Sequence, residues 1–196
     1  MRPLLVICAL AVPAFADTAP DADKPYEHFV KQCKAKVIMA CTEQGQRLMD
    51  GNGVAKDEKA GFALWERSCK AKDGRACNNL GTSWSDGNQG ASAVDHVKSK
   101  ALYEKACTLK NGFGCFNLGN VFRLGEGVAP DVKKAGSFFA KSCDLENPKG
   151  CTELGIIYYE GKVFPKNEKK AIELFEKACK LGSEVGCKNH KALTKT

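Results

Sequence analysis

A chain of 196 residues with 43 % hydrophobic content is long enough to bury a sizeable core, and no stretch approaches the roughly 20 apolar residues that a mature helix needs to span a bilayer. Its 30 Lys and Arg against 23 Asp and Glu give a formal charge of +7, but the charges are mixed along the chain and not gathered into a basic run. The composition therefore carries neither a membrane-inserting segment nor a nucleic-acid signature.

Met1 to Ala16 has one early positive charge, Arg2, a short apolar run from Leu4 to Val12, then Pro13 and the small-residue pattern Ala14-Phe15-Ala16. This is the layout of a secretory signal peptide. Cleavage after Ala16 removes Cys8, which stands too far upstream to become the lipidated first residue of a mature lipoprotein. Of the 11 cysteines, the other ten remain in the mature chain, as expected of a disulfide framework in an oxidising compartment. Residues 17–24 (DTAPDADK) are polar and read as a flexible mature N-terminus, and residues 25–196 as one domain.

From Pro25 onward the chain repeats itself. Cysteines eight residues apart recur as Cys33/Cys41, Cys69/Cys77, Cys107/Cys115, Cys143/Cys151 and Cys179/Cys187, with a period of 36 residues stretched once to 38. Such a period marks an array of helical hairpins, each burying its apolar face by stacking on its neighbours. The predicted fold is therefore an all-α solenoid of about five units. In each unit a first helix, helix B, opens at Asp57, Asp95, Asp131 or Asn167, whose side chains cap free N–H groups. Phe29, Trp65, Tyr103, Phe139 and Phe175 stand four residues before the first cysteine, preceded from the second unit on by Leu64, Leu102, Phe138 and Leu174, so that one face is buried.

A second helix, helix A, is predicted to open at the second cysteine. Leu80, Leu118 and Leu154 lie three residues on, Gly45, Gly81, Gly119 and Gly155 four on, and Leu48, Trp84, Phe122 and Tyr158 seven on. A glycine inside a helix costs about 1 kcal/mol relative to alanine, so its recurrence implies that another helix backbone lies against it. Gly51, Gly87, Gly125 and Gly161 suit the left-handed residue that closes a helix. The single longer period falls in the connection from Gly87 to Asp95, a surface loop insertion.

Two pairings of the ten cysteines compete: eight apart, or from one unit's second cysteine to the next unit's first. The second strands Cys33 and Cys187 and varies with the loop insertion, whereas the first uses every cysteine at constant spacing. The expected bonds are thus Cys33–Cys41, Cys69–Cys77, Cys107–Cys115, Cys143–Cys151 and Cys179–Cys187. Zinc is the competing use of paired cysteines, but its ligands usually stand two to four residues apart, and His28, His96 and His190 fall at unrelated places in the repeat. Neither metal nor cofactor is expected.

Units with Ala171, Phe175, Lys177, Cys179, Leu181 and Gly186-Cys187, and with a Leu-Gly pair such as Leu154-Gly155 in helix A, resemble the SEL-like repeat, a relative of the tetratricopeptide repeat. The cysteine spacing and the signal peptide make the chain similar to the Helicobacter cysteine-rich protein family. The resemblance covers about Pro25 to Lys191 and implies a right-handed superhelix of α/α hairpins, intra-repeat disulfides, and secretion or periplasmic location in a bacterium. Members of that family are described as penicillin-binding proteins with slow β-lactamase activity and as interaction or host-contact proteins.

Three functions follow for comparison. As an interaction scaffold, the chain would present a stripe of Glu43, Asn79, Asn117 and Glu153 with Gln46, Thr82, Asn120 and Ile156, two and five residues past the second cysteine. Carboxamides carry both donor and acceptor and pair with the backbone of an extended peptide or protein partner irrespective of its sequence. As a β-lactam hydrolase acting on a β-lactam or cell-wall fragment, it lacks the Ser-x-x-Lys, Ser-Asp-Asn and Lys-Thr-Gly elements of serine enzymes, and Ser85-Asp86-Gly87 only grazes the second. As a thiol–disulfide exchange protein it lacks Cys-x-x-Cys, although each second cysteine lies at a predicted helix start. The last helix carries His190, Lys191 and Thr194 in place of the leucine, glycine and aromatic, a polar end cap that favours a monomer. In the chain-entropy model each bridge contributes about 2.5 kcal/mol at best and five on the order of 10 kcal/mol, comparable with the stability of a whole domain. Full reduction is therefore expected to remove most of the stability, and a melting temperature unchanged by reductant would refute this.

Overall fold

The computed structural model describes residues 23–88 and 90–194. The predicted signal peptide, Cys8 and residues 17–22 lie outside them. Ten helices follow one another: α1 (Tyr26–Lys34), α2 (Ile38–Asp50), α3 (Glu58–Lys70), α4 (Gly74–Asp86), α5 (His96–Thr108), α6 (Gly112–Leu124), α7 (Val132–Asp144), α8 (Pro148–Glu160), α9 (Glu168–Lys180) and α10 (Glu184–Thr194). Among the described residues there is no strand. The odd-numbered helices are the predicted B helices and the even-numbered the A helices, and each packs on the helices before and after it in an α/α solenoid.

The side chains of Asp57, Asp95, Asp131 and Asn167 accept from the backbone N–H three residues on, so the free donors at the starts of α3, α5, α7 and α9 are satisfied. The backbone N–H of these same four residues donates to the carbonyl of Leu48, Trp84, Phe122 or Tyr158 at 2.7–2.9 Å. The bond from Asp95 to Trp84 is kept despite the loop insertion. At the other end of the even helices, Gly51, Gly87, Gly125 and Gly161 adopt the left-handed conformation.

Helix A does not open at its cysteine. It begins three residues earlier, because Asp73, Asn111 and Asn147 cap α4, α6 and α8 through their own side chains. The turn from each B helix to the next A helix is three residues long, and its middle residue is left-handed: Lys36, Lys72, Lys110 and Glu146 at φ 59 to 68°, and Gly182 at φ 93°. A residue with a Cβ pays about 1 kcal/mol or more there. The tight turn brings the two cysteines of each pair to Cα separations of 4.4–4.7 Å, within the range a disulfide spans, and all five pairs are bonded.

Across the longer connection, from each A helix to the B helix after it, the joint is an aromatic ring laid on a glycine. A Cβ on Gly45, Gly81, Gly119 or Gly155 would stand 2.6–2.8 Å from the ring of Trp65, Tyr103, Phe139 or Phe175. A ring thus fills the place expected for a helix backbone, although at Gly45 the Gly61 carbonyl also comes to 3.0 Å. These rings are buried at the centre of the array, and Trp65 fixes its indole further by donating to the Thr42 carbonyl at 3.1 Å. Burying a side chain of this size contributes about 2–3 kcal/mol.

Replacing Gly119 with Ala drives a methyl into the Phe139 ring and is expected to cost about 1–3 kcal/mol, measured as a lowered urea midpoint at constant m-value. The carboxyls of Asp95 and Asp131 are held below their ordinary value of 3.8, chiefly by the backbone N–H groups of Lys98 and Lys134. Their capping is complete above that value and is lost as pH falls through the lowered folded-state values. The double variant Asp95→Asn, Asp131→Asn, whose caps do not titrate, is expected to lose less stability than the wild type between pH 5 and pH 2 in thermal unfolding.

Candidate interaction surface

The even-numbered helices approach one another from unit to unit, α4 to α6, α6 to α8 and α8 to α10, whereas the odd-numbered helices stand farther apart. A row of helices set closer than the row behind it lies on the inside of the curve. The inner wall is therefore built from the A helices, and their residues two and five past the cysteine form its face.

All six candidate ligand-binding residues, Glu43, Asn79, Thr82, Asn117, Asn120 and Glu153, are half-buried on this wall. Most are already bonded. The Asn79 amide donates to Gln46 Oε1 at 3.1 Å, and the Gln46 amide donates to Asp50 Oδ2 at 2.8 Å. One unit on, the Asn117 amide donates to Asn78 Oδ1 at 2.9 Å. Glu43 lies between Arg47 at 3.3 Å and Arg75 at 2.9 Å, with Arg47 also seated over the Phe29 ring. Thr82 accepts from the Tyr103 hydroxyl at 3.2 Å and donates to the Asn78 carbonyl, and burial pushes the Tyr103 phenol above its ordinary value. Asn120 accepts from Arg123 on its own helix. Glu153 and Ile156 on α8 join none of these bonds.

Each carboxamide that has given one N–H keeps its carbonyl oxygen and a second N–H. Asn79 and Asn117 are therefore held in place by the neighbouring unit while the rest of their bonding capacity is unspent, a preorganised row of donors and acceptors. Sequence reasoning missed Asn78, Arg75 and the cap-to-wall bonds, in which Thr42 donates to Asp73 Oδ2 at 2.9 Å and Thr152 meets Ser183 at 3.0 Å. The available signal was polarity one residue past the cysteine (Thr42, Asn78, Thr152). At Phe116 that polarity is absent, and the buried Asn147 Nδ2 on the next cap has no partner.

For acyl-transfer chemistry the arrangement offers little. The Ser83, Ser137 and Ser142 hydroxyls donate to backbone carbonyls, and Ser68 and Ser99 are buried. None is bonded to a general base. No group of three or more His, Cys, Asp or Glu is arranged to hold a metal ion among the described residues, and no helix there is long and apolar enough to cross a membrane. The second cysteines lie in the second turn of their helices and not at the start, away from the N–H groups that would favour a thiolate.

Residues 38–73, 74–111, 112–147 and 148–183 each match the model of the Sel1 repeat. The chain belongs to the Sel1 repeat family. It is 35 % identical to Helicobacter pylori cysteine rich protein B over 71 % of this chain and 98 % of that one, with a TM-score of 0.55. The Sel1 repeat protein from Oxalobacter formigenes is similar in fold, with a TM-score of 0.80 at 20 % identity over 87 % of this chain and 69 % of that one. A protective antigen of uropathogenic Escherichia coli strains gives 0.72 at 22 % identity over 86 % and 36 %. Among curated proteins nothing matches.

The Sel1 boundaries change how the disulfides are described. Each family unit is an A helix followed by a B helix, so Cys69 closes the first unit and Cys77 opens the second. The bonds expected within repeats in fact link consecutive Sel1 repeats, and the ring-on-glycine contact holds each repeat together internally. The two flanking half-repeats, α1 and α10, are joined to the array by Cys33–Cys41 and Cys179–Cys187.

Proposed function

We propose that this Sel1 repeat chain is a secreted or periplasmic scaffold that binds an extended peptide segment of a protein partner along its inner wall. The carboxamide row of Asn78, Asn79 and Asn117 carries this reading. Its donors and acceptors are held at fixed positions by bonds between repeats, so the backbone of a partner meets them without the cost of ordering side chains. Five disulfides fit an extracytoplasmic protein, with residues 1–16 as the export signal, 17–24 as the mature N-terminus and 25–196 as the binding domain. The polar end of α10 supports a monomer.

The test uses peptides selected from a random-sequence display library on the oxidised chain beginning at Asp17. Asn79→Ala with Asn117→Ala is expected to weaken their binding on the order of tenfold, the worth of one or two hydrogen bonds. Gln46→Ala breaks the Asn79 bond from the other side and controls for lost inter-repeat contact. Equal affinity for the double variant and the wild type would remove the wall from the binding site.

A further inference from the structure

The residue two before the first cysteine is a cation in every unit: Lys31, Arg67, Lys105, Lys141 and Lys177. In the folded chain two of these reach back one unit to the preceding disulfide. Lys177 Nζ donates to the Cys143 carbonyl at 2.9 Å. Arg67 goes further, and its Nη2 lies 2.6 Å from Cys33 Sγ and 3.2 Å from Cys41 Sγ. No carboxylate pairs with Arg67 among the described residues, so its charge bears on the sulfurs without being neutralised. Lys141 instead sits over the Phe138 ring, and among the described residues no Lys or Arg donates to a sulfur of Cys179–Cys187.

We infer that Cys33–Cys41 is a thiol-exchange site, the one bond of the five that takes up a free thiolate as a mixed disulfide. Departure of a thiolate is the step a nearby cation favours, because the leaving sulfur's pKa falls. The incoming RS⁻ attacks Cys33 Sγ, on the more exposed of the two cysteines, 7 % against 1 %. An RS–Sγ bond forms there, the Cys33–Cys41 bond breaks, and its electron pair leaves on Cys41 Sγ beside the Arg67 guanidinium. A second RS⁻ attacks the RS sulfur of the mixed disulfide and releases Cys33 as thiolate, so two thiols are oxidised to RSSR as the bond gains two electrons.

Both cysteines are buried in the closed array, so access requires α1 to open. Helix α1 is nine residues long, opens at Pro25 without a capping side chain, and packs chiefly on α2. The surface around Cys33 carries exposed Lys31, Lys34 and Lys36, which attract an anionic thiol. Ends of repeat arrays open more easily than their interiors.

The oxidised chain from Asp17 onward is treated with graded glutathione, quenched with iodoacetamide and mapped by mass spectrometry. Cys33 and Cys41 are expected to be modified on the order of tenfold faster than the eight other cysteines, as glutathione adduct or as alkylated thiol. Arg67→Leu should bring that rate down to the level of the rest, Arg67→Lys should retain most of it, and circular dichroism should show the same helix content for all three proteins. Cys179–Cys187 separates the cation from end fraying, since among the described residues it lies in the last helical pair and no Lys or Arg donates to its sulfurs. Equal rates at the two terminal bonds would overturn the inference, as would a preference for Cys33–Cys41 that survives Arg67→Leu.

Discussion

The structure depends on a turn of three residues. Between every B helix and the next A helix one residue is left-handed, and the helices on either side leave the turn with their cysteines 4.4–4.7 Å apart at Cα. Four of the five left-handed residues carry a Cβ and are strained there. That cost is tolerable because the bond beside each one removes chain entropy from the unfolded state and because Asp73, Asn111 and Asn147 cap the helix that follows. The constant eight-residue spacing is the sequence image of this geometry.

Two kinds of joint then alternate along the chain. Within a Sel1 repeat the joint is an aromatic ring on a glycine, non-covalent and sensitive to one methyl group. Between repeats it is a covalent bridge across a strained turn. A repeat array without the bridges would rest on nearest-neighbour packing alone. With them, consecutive repeats cannot separate, and the spacing of the inner wall is fixed unit by unit. That fixed spacing is what allows side chains 31 to 39 residues apart, such as Thr42 and Asp73 or Asn78 and Asn117, to meet at hydrogen-bond distance.

The helices, their odd-numbered caps, the closing glycines and the loop insertion were legible because each depends on residues within one turn or one period. The starts of the A helices were not, since the capping residues Asp73 and Asn111 stand four residues before the cysteine, outside the spacing that the repeat makes conspicuous. The mid-helix glycines pointed to close approach, but spacing alone does not say whether backbone or ring approaches. The wall was the least legible part. Its face was legible from the positions two and five past the cysteine, and its bonds were not, because they join residues of different repeats whose register is set by the rise from one repeat to the next.

The ends of the array obey different physics from its middle. An interior helix is packed on both sides and bridged to a neighbour that is itself held, so opening one interior bond releases little chain. Among the described residues helix α1 packs chiefly on α2, held by Phe29, the Arg47 guanidinium over its ring and the bridge to Cys41, with Arg67 of α3 against Cys33. Losing that bridge would free nine helical residues without disturbing the ring-on-glycine contact of the first full repeat, Trp65 on Gly45. Stability in such a chain is local, and chemistry confined to one end leaves the carboxamide row of α4 and α6 intact two helices away.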